Sequence, residues 1–214
     1  MVAAKPFLAA ALIALVSTSV ALGDNPTVRI NNADQAMAVS ALLRQKDFGA
    51  GWGGGQSKPD PIDSPNCPGF DPKESDLTVT GHADAKFLFQ QGAVELDQDV
   101  QVLQTAAAVR TDFARTVSPK LGRCLGWQLK KGGNVEDVEV QKIPFPPTGV
   151  VSAAFRAVIE VRTPHGPGRV ISDFVFFAKG RLEFSINVTA PYGAGDQLPM
   201  FESQLAQRLL ERVK

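Results

Sequence analysis

The chain has 214 residues, 44% of them hydrophobic and 21% charged, with 22 Lys and Arg set against 22 Asp and Glu. A balance this close to zero argues against nucleic acid or another polyanion as the main partner. The length suits one domain with a substantial core, and the composition is that of an ordinary globular protein.

Residues 1–23, MVAAKPFLAAALIALVSTSVALG, have the three parts of a secretory signal peptide. Lys5 and the amino terminus supply positive charge, Phe7–Val16 is a short apolar run, and Ala21, Leu22 and Gly23 form a small-x-small cleavage site. The apolar run is shorter than the about 20 residues a helix needs to span a bilayer. No cysteine stands at the cleavage point, so lipid attachment is not indicated. The mature protein is expected to begin near Asp24, to be exported and soluble without a transmembrane segment, and to form one domain over residues 24–214.

In chain order, ADQAMAVSALLRQ predicts a helix with Asn32 as its N-cap and Gln35 reaching back as in a capping box. Ala36, Val39, Leu42 and Leu43 share its apolar face. Residues 46–75 are rich in glycine and proline and are expected to form a long irregular loop. Within it, Gly49, Gly51 and Gly54 match the G-x-G-x-x-G spacing of dinucleotide-binding turns. Such a turn must follow a strand and open a helix, because the pyrophosphate sits on helix amides. Here a helix precedes the glycines and QSKPDPIDSPNCP follows them, so no cofactor is expected.

DLTVTGHADAKFLF reads as a strand with a bulge or bend at Gly81. VELDQDVQVL alternates more cleanly: Val94, Leu96, Val100 and Val102 face one way, Glu95, Asp97, Asp99 and Gln101 the other. Thr105 caps AAAVRTDFARTV, where Val109, Phe113 and Val117 recur every fourth residue. Ser118 and Pro119 start a second helix that carries Leu121, Cys124 and Leu125 inward and ends at Lys130, Lys131, Gly132 and Gly133. Four strands follow: VEDVEVQKI, VVSAAFRAVIEVR, RVISDFVFFAK and RLEFSINVTA. The third is apolar on both faces at Phe174–Phe177, as a central strand should be, and hairpin-length turns make the last three antiparallel. A final helix, capped by Asp196, buries Phe201, Leu205, Leu209 and Val213. The expected architecture is α+β, one twisted antiparallel sheet of about six strands with the middle and terminal helices on one face.

Cys67 and Cys124 are the only cysteines. In an exported protein they are expected to form one disulfide, tying the loop to a packed helix. A two-thiol metal site would need a matching histidine pair, and no metal site is expected. Trp52, flanked by Phe48 and Phe70, either anchors a ligand or partner from its loop or folds back over the core, and the covering role is preferred. Of the two histidines, His165 lies in a Pro/Gly turn, whereas His82 follows the bulge and is the one re-aimed toward a site. Neither a Gly-x-Ser-x-Gly elbow nor a His-Glu-x-x-His helix is present. Glu95, Asp97 and Asp99, and likewise Glu136, Asp137 and Glu139, read as solvated faces. Asn187, Val188 and Thr189 match the glycosylation triplet but fall inside a predicted strand.

The segments ALLRQKDFGAGW, CPGFDPKESDLTVTG and DFARTVSPKLGRCLGW together resemble a broad set of exported actinobacterial proteins, with a D-x-x-x-GW loop before a cysteine and a later helical RCL. The order of elements is also similar to the PsbP/Mog1-like fold of small mycobacterial lipoproteins, and to the extracellular sensor domain of a mycobacterial kinase. The resemblance implies a binding or accessory role in the cell envelope without a catalytic set; the lipidation cysteine of the lipoproteins is missing here. The expected function is therefore a non-catalytic, monomeric binding module. It would take a small amphipathic ligand or an envelope protein between sheet and loop, near Trp52, Phe48, Phe70, Trp127 and His82. A secreted hydrolase assembled only in three dimensions is the alternative.

Overall fold

The computed structural model describes residues 24–163 and 166–213, so the signal-peptide segment and His165 lie outside the described residues. The elements, in order, are β1 (Thr27–Val28), α1 (Asn32–Ser40), β2 (Trp52–Ser57), β3 (Thr78–Phe89) and β4 (Val94–Leu103). Two helices follow, α2 (Ala106–Thr116) and α3 (Pro119–Leu129). The chain then runs through β5 (Val135–Ile143), β6 (Val151–Thr163), β7 (Gly166–Lys179), β8 (Leu182–Pro191) and α4 (Leu198–Arg212). The class is α+β.

The sheet is larger than the alternation predicted. Eight strands are joined, in the order β1-β3-β4-β8-β7-β6-β5, with β2 also paired to β3. All pairings are antiparallel except β1 with β3, so the sheet is mixed. The register of β3 on β4 shifts between Val79 and Gly81, the bulge expected at that glycine. A Cβ on Gly81 would lie 2.3 Å from the carbonyl oxygen of Asp34, so this glycine lets α1 rest directly on β3.

Two further strands arise where the sequence suggested none. The glycine run WGGGQS is not irregular: it is the edge strand β2, antiparallel to Asp84–Phe89. Gly54 has φ +137, and a Cβ there would meet the carbonyl oxygen of Lys86 at 2.1 Å, so only glycine lets the two backbones approach this closely. The glycines lie within a strand and lead into no helix, unlike a phosphate-binding turn.

Helices cover both faces of the sheet, not one. On the first face, Ala38 and the Ala41–Leu43 segment just beyond α1 pack with Leu205 and Leu209 of α4 against Phe87, Leu96, Val175 and Ile186. Gln98 lies on this apolar face of β4, 2% exposed, because its side chain serves the end of α1. Its Oε1 accepts from the Leu43 N–H at 2.7 Å and its Nε2 donates to the Ala41 carbonyl at 3.3 Å. On the second face, Leu121 and Cys124 of α3 pack on Phe155, with Phe113, Val117, Phe174 and Phe176 around them. The physical reason lies in β7, whose run of phenylalanines is apolar on both sides and needs two covers.

Local caps partly follow the sequence. Thr105 accepts from Ala108 N–H at the start of α2, and Pro119 occupies the first turn of α3. At α1 the cap is Asn31 rather than Asn32, its Oδ1 accepting from Asp34 N–H at 2.9 Å. Gln35 closes no capping box. It clamps the backbone of His82 instead, donating to its carbonyl at 2.8 Å and accepting from its N–H at 3.1 Å. Helix α4 starts after Gln197, not Asp196, and has no side-chain cap.

Candidate functional site

Cys67 and Cys124 are joined in a disulfide, Cα to Cα 5.4 Å, which fixes the segment between β2 and β3 across α3. This segment is tied down on both sides of the cystine. Asp60 N–H donates to Asp84 Oδ2 at 2.8 Å, Ser64 N–H donates to Asn25 Oδ1 at 2.8 Å, and Arg115 of α2 holds Asp76 with both terminal nitrogens. Beneath it, between α2, α3 and the sheet, lies a cavity of about 310 Å³.

The lining divides by chemistry. Phe113 of α2, Val117 just beyond its end, Leu121 and Leu125 of α3 and Phe176 of β7 supply the apolar part. Asp99 and Gln101 of β4, Glu183 and Ser185 of β8, and Asp112 of α2 supply the polar part, completed by Asp63 and Glu74 from the tethered segment. On the sheet the carboxylates come from β4 and β8 and the apolar Phe176 from the adjacent β7, where it pairs with Ser185, so polar and apolar groups stand side by side in the wall.

Glu74 is 7% exposed. Ser64 Oγ donates to its Oε2 at 2.8 Å, and Thr116 Oγ1 stands 3.2 Å from its Oε1 and 2.8 Å from Asp112 Oδ1. Burial, and then the charge of Asp112, push the Glu74 carboxyl up to about 7 despite those hydroxyls. Burial pushes Glu183 well above the usual range as well, with the neighbouring Asp112, Glu74 and Asp99 adding to it. Its Oε1 is buried without a hydrogen-bond partner among the described residues.

At the edge of this cavity, Asp99 meets His82. The imidazole Nε2 lies 2.5 Å from Asp99 Oδ2 and 3.0 Å from Asp84 Oδ1. Burial alone would lower the His82 pKa, but the neighbouring Asp84 carboxylate and the bond to Asp99 outweigh that and raise it to about 9. Burial raises Asp99, against the pull of His82; it also opposes ionisation of Asp84, which His82 and the Asp60 N–H nevertheless hold low. Among the described residues, His82, Asp84 and Asp99 form a group whose potential metal-ligating atoms all lie within 4.8 Å of one another. A tetrahedral ion with bonds of about 2.1 Å would separate its donors by roughly 3.4 Å. As it stands, the 2.5 Å contact has the length of a charge-assisted hydrogen bond from Nε2 to Asp99.

The structure distributes the candidate residues widely. Trp52 stacks on Phe48 at 4.8 Å and on Phe201 of α4 at 5.5 Å, covering the end of the first core, and borders only a shallow open depression above β2. Phe48 also packs on Phe87. Phe70 is buried beside the disulfide. Trp127 is 40% exposed on α3, with Lys131 Nζ 3.4 Å above its ring. None of these four aromatics lines the cavity, whereas His82 reaches it through Asp99.

The acidic residues read as solvated faces divide. Glu95 and Asp97 are half-exposed and pair with Lys86, and Glu136, Asp137 and Glu139 are exposed. Asp99 departs from that reading, because α2 and the tethered segment roof its face of the sheet. Glu74, Asp112 and Glu183 carried no signal in the sequence, since they converge only when those elements close over β4 and β8. Asn187 of the glycosylation triplet lies in β8, its Nδ2 donating to Ser172 Oγ and to the Asp173 carbonyl.

No protein-family model matches the chain, and neither a curated protein nor a solved structure matches it. Among the described residues, no helix is long and apolar enough to cross a membrane.

Proposed function

We propose that the protein is an exported, non-catalytic binding module of the cell envelope, and that it holds a small amphipathic molecule in the cavity beneath the disulfide-tethered segment. The observation that carries this reading is the cavity itself, about 310 Å³ and lined by both apolar side chains and carboxylates. Sites for small molecules are concave, mostly apolar and furnished with a few placed polar groups, and this volume lies at the small end of their range. The disulfide supports an oxidising compartment, and the resemblance to envelope binding proteins points the same way.

Binding is preferred over hydrolysis because of His82. A general base must be free to accept a proton, and this imidazole is held charged between two carboxylates. The test is ligand-observed NMR on the disulfide-intact protein with a panel of short-chain alkyl and aryl probes, repeated on Val117→Trp, which fills the cavity from the end of α2. Probe signals that disappear in a folded Val117→Trp variant support the reading. Probes that bind neither form, or both alike, count against it.

A further inference from the structure

We infer that the polar end of the ligand is a cation, so that the cavity is a site for a small hydrophobic amine. This rests on the binding reading above and specifies its chemistry. Among the described residues, five ionisable side chains line the cavity, Asp63, Glu74, Asp99, Asp112 and Glu183, and every one is acidic; the cation that touches them, His82, stands behind Asp99 and outside the lining. In a chain with equal numbers of acidic and basic residues, that is a local concentration of carboxyl groups and not a reflection of composition.

A cluster of carboxylates alone would be open to solvation, but one oxygen here is not. Glu183 Oε1 is buried, has no hydrogen-bond partner among the described residues, and belongs to a residue of the cavity wall. A buried acceptor left unpaired is costly, and a buried charge more so, unless something donates to it. An ammonium group carries three donors and a positive charge. Placed among Glu183, Asp112 and Asp99, it would bring a donor to the orphan oxygen and offset the burial, and after it the neighbouring carboxylates, that lift Glu74 and Glu183 above the ordinary carboxyl range.

The apolar side chains of the lining select the rest of the molecule. Phe113, Leu121, Leu125 and Phe176 offer a hydrated metal ion nothing, but they would bury an alkyl or aryl chain at about 25 cal/mol per Å². At about 30 Å³ per water-sized unit, the space holds on the order of ten non-hydrogen atoms.

The experiment compares three probes of one length, hexylamine, 1-hexanol and hexanoate, by ligand-observed NMR at pH 8, where Glu74 is mostly ionised. The expected order is hexylamine at least tenfold tighter than hexanol, with hexanoate unbound. Glu183→Gln, and separately Asp112→Asn, should bring hexylamine down toward hexanol while leaving hexanol unchanged, which also reports that each variant is folded. Hexanol or hexanoate binding as tightly as the amine overturns the cation assignment and leaves the cavity reading standing. An amine preference that survives both substitutions overturns it too. If none of the three binds, the cavity reading itself fails.

Discussion

Asp84 and Asp99 stand directly opposite each other on β3 and β4, and Nε2 of His82 lies within 3.0 Å of a carboxylate oxygen of each. Like charges facing across an antiparallel ladder are destabilising, so the protonated imidazole is what makes this pair tolerable. A group whose folded pKa is raised contributes stability that is complete below its unfolded pKa. For His82 that means below 6.5, with the contribution disappearing as pH rises through about 9. The shift corresponds to at most about 3 kcal/mol. Urea unfolding at pH 6 and pH 9.5 should show the wild type losing stability over that window and His82→Gln losing distinctly less. Parallel losses in both proteins would contradict the assignment.

Glu202 of α4 poses the converse case. It is fully buried, neither carboxyl oxygen has a hydrogen-bond partner, and burial followed by the charge of Asp173 raises its pKa to about 8. A carboxyl whose pKa is raised on folding costs nothing below its unfolded value of 4.5, loses stability as pH rises from there to about 8, and carries the full cost above that. Glu202→Gln should therefore be more stable than the wild type at pH 9, by at least about 1 kcal/mol. The advantage should shrink toward pH 5, and thermal melting across that range checks it.

Reduction of the disulfide should be felt in two places. Cys67 and Cys124 are 57 residues apart, and the chain-entropy model gives about 4 kcal/mol for a loop of that length. Denaturant midpoints should fall by a corresponding amount in the Cys67→Ala, Cys124→Ala double variant. Because the same bond holds the cavity roof, probe binding should weaken in this variant under conditions where it remains folded.

The glycine strand gives a sharp contrast between neighbours. Gly54→Ala places a methyl group against the Lys86 carbonyl at a φ of +137, and should cost roughly 2 kcal/mol or more. At Gly55 a Cβ meets nothing within 4 Å, and Gly55→Ala should change stability by less than about 0.5 kcal/mol. Equal effects at the two positions would show that β2 does not pack on β3 as described.

Much of the fold was legible because its signals are local. Thr105, Pro119 and the alternation of β8 act within a few residues of where they stand, and each marks its element. The strand β2 escaped because glycines have no side chains to alternate; its structure comes from β3, more than twenty residues later. Gln98 shows the same limit on the apolar face of β4, where a polar residue is explained only by the end of α1 lying above it.

The site was less legible still. Aromatic residues on the glycine-rich segment are recognisable in sequence either as anchors or as core covers; Trp52 and Phe48 cover the core on the α4 side of the sheet, and the cavity lies on the other. Alternation along β4 and β8 assigns Asp99 and Glu183 to one face, and by itself says nothing about what covers it.

Covalent and near-neighbour chemistry along the chain was enough to specify the cysteine pairing, both middle helices and the antiparallel run from β6 to β8. Which carboxylates share a chamber was decided by contacts between segments far apart in sequence. Hydrophobic periodicity defines sides, but the identity of the neighbour on each side depends on long-range packing. Here the phenylalanines of β7 draw α2 and α3 onto a face that β4 and β8 left polar.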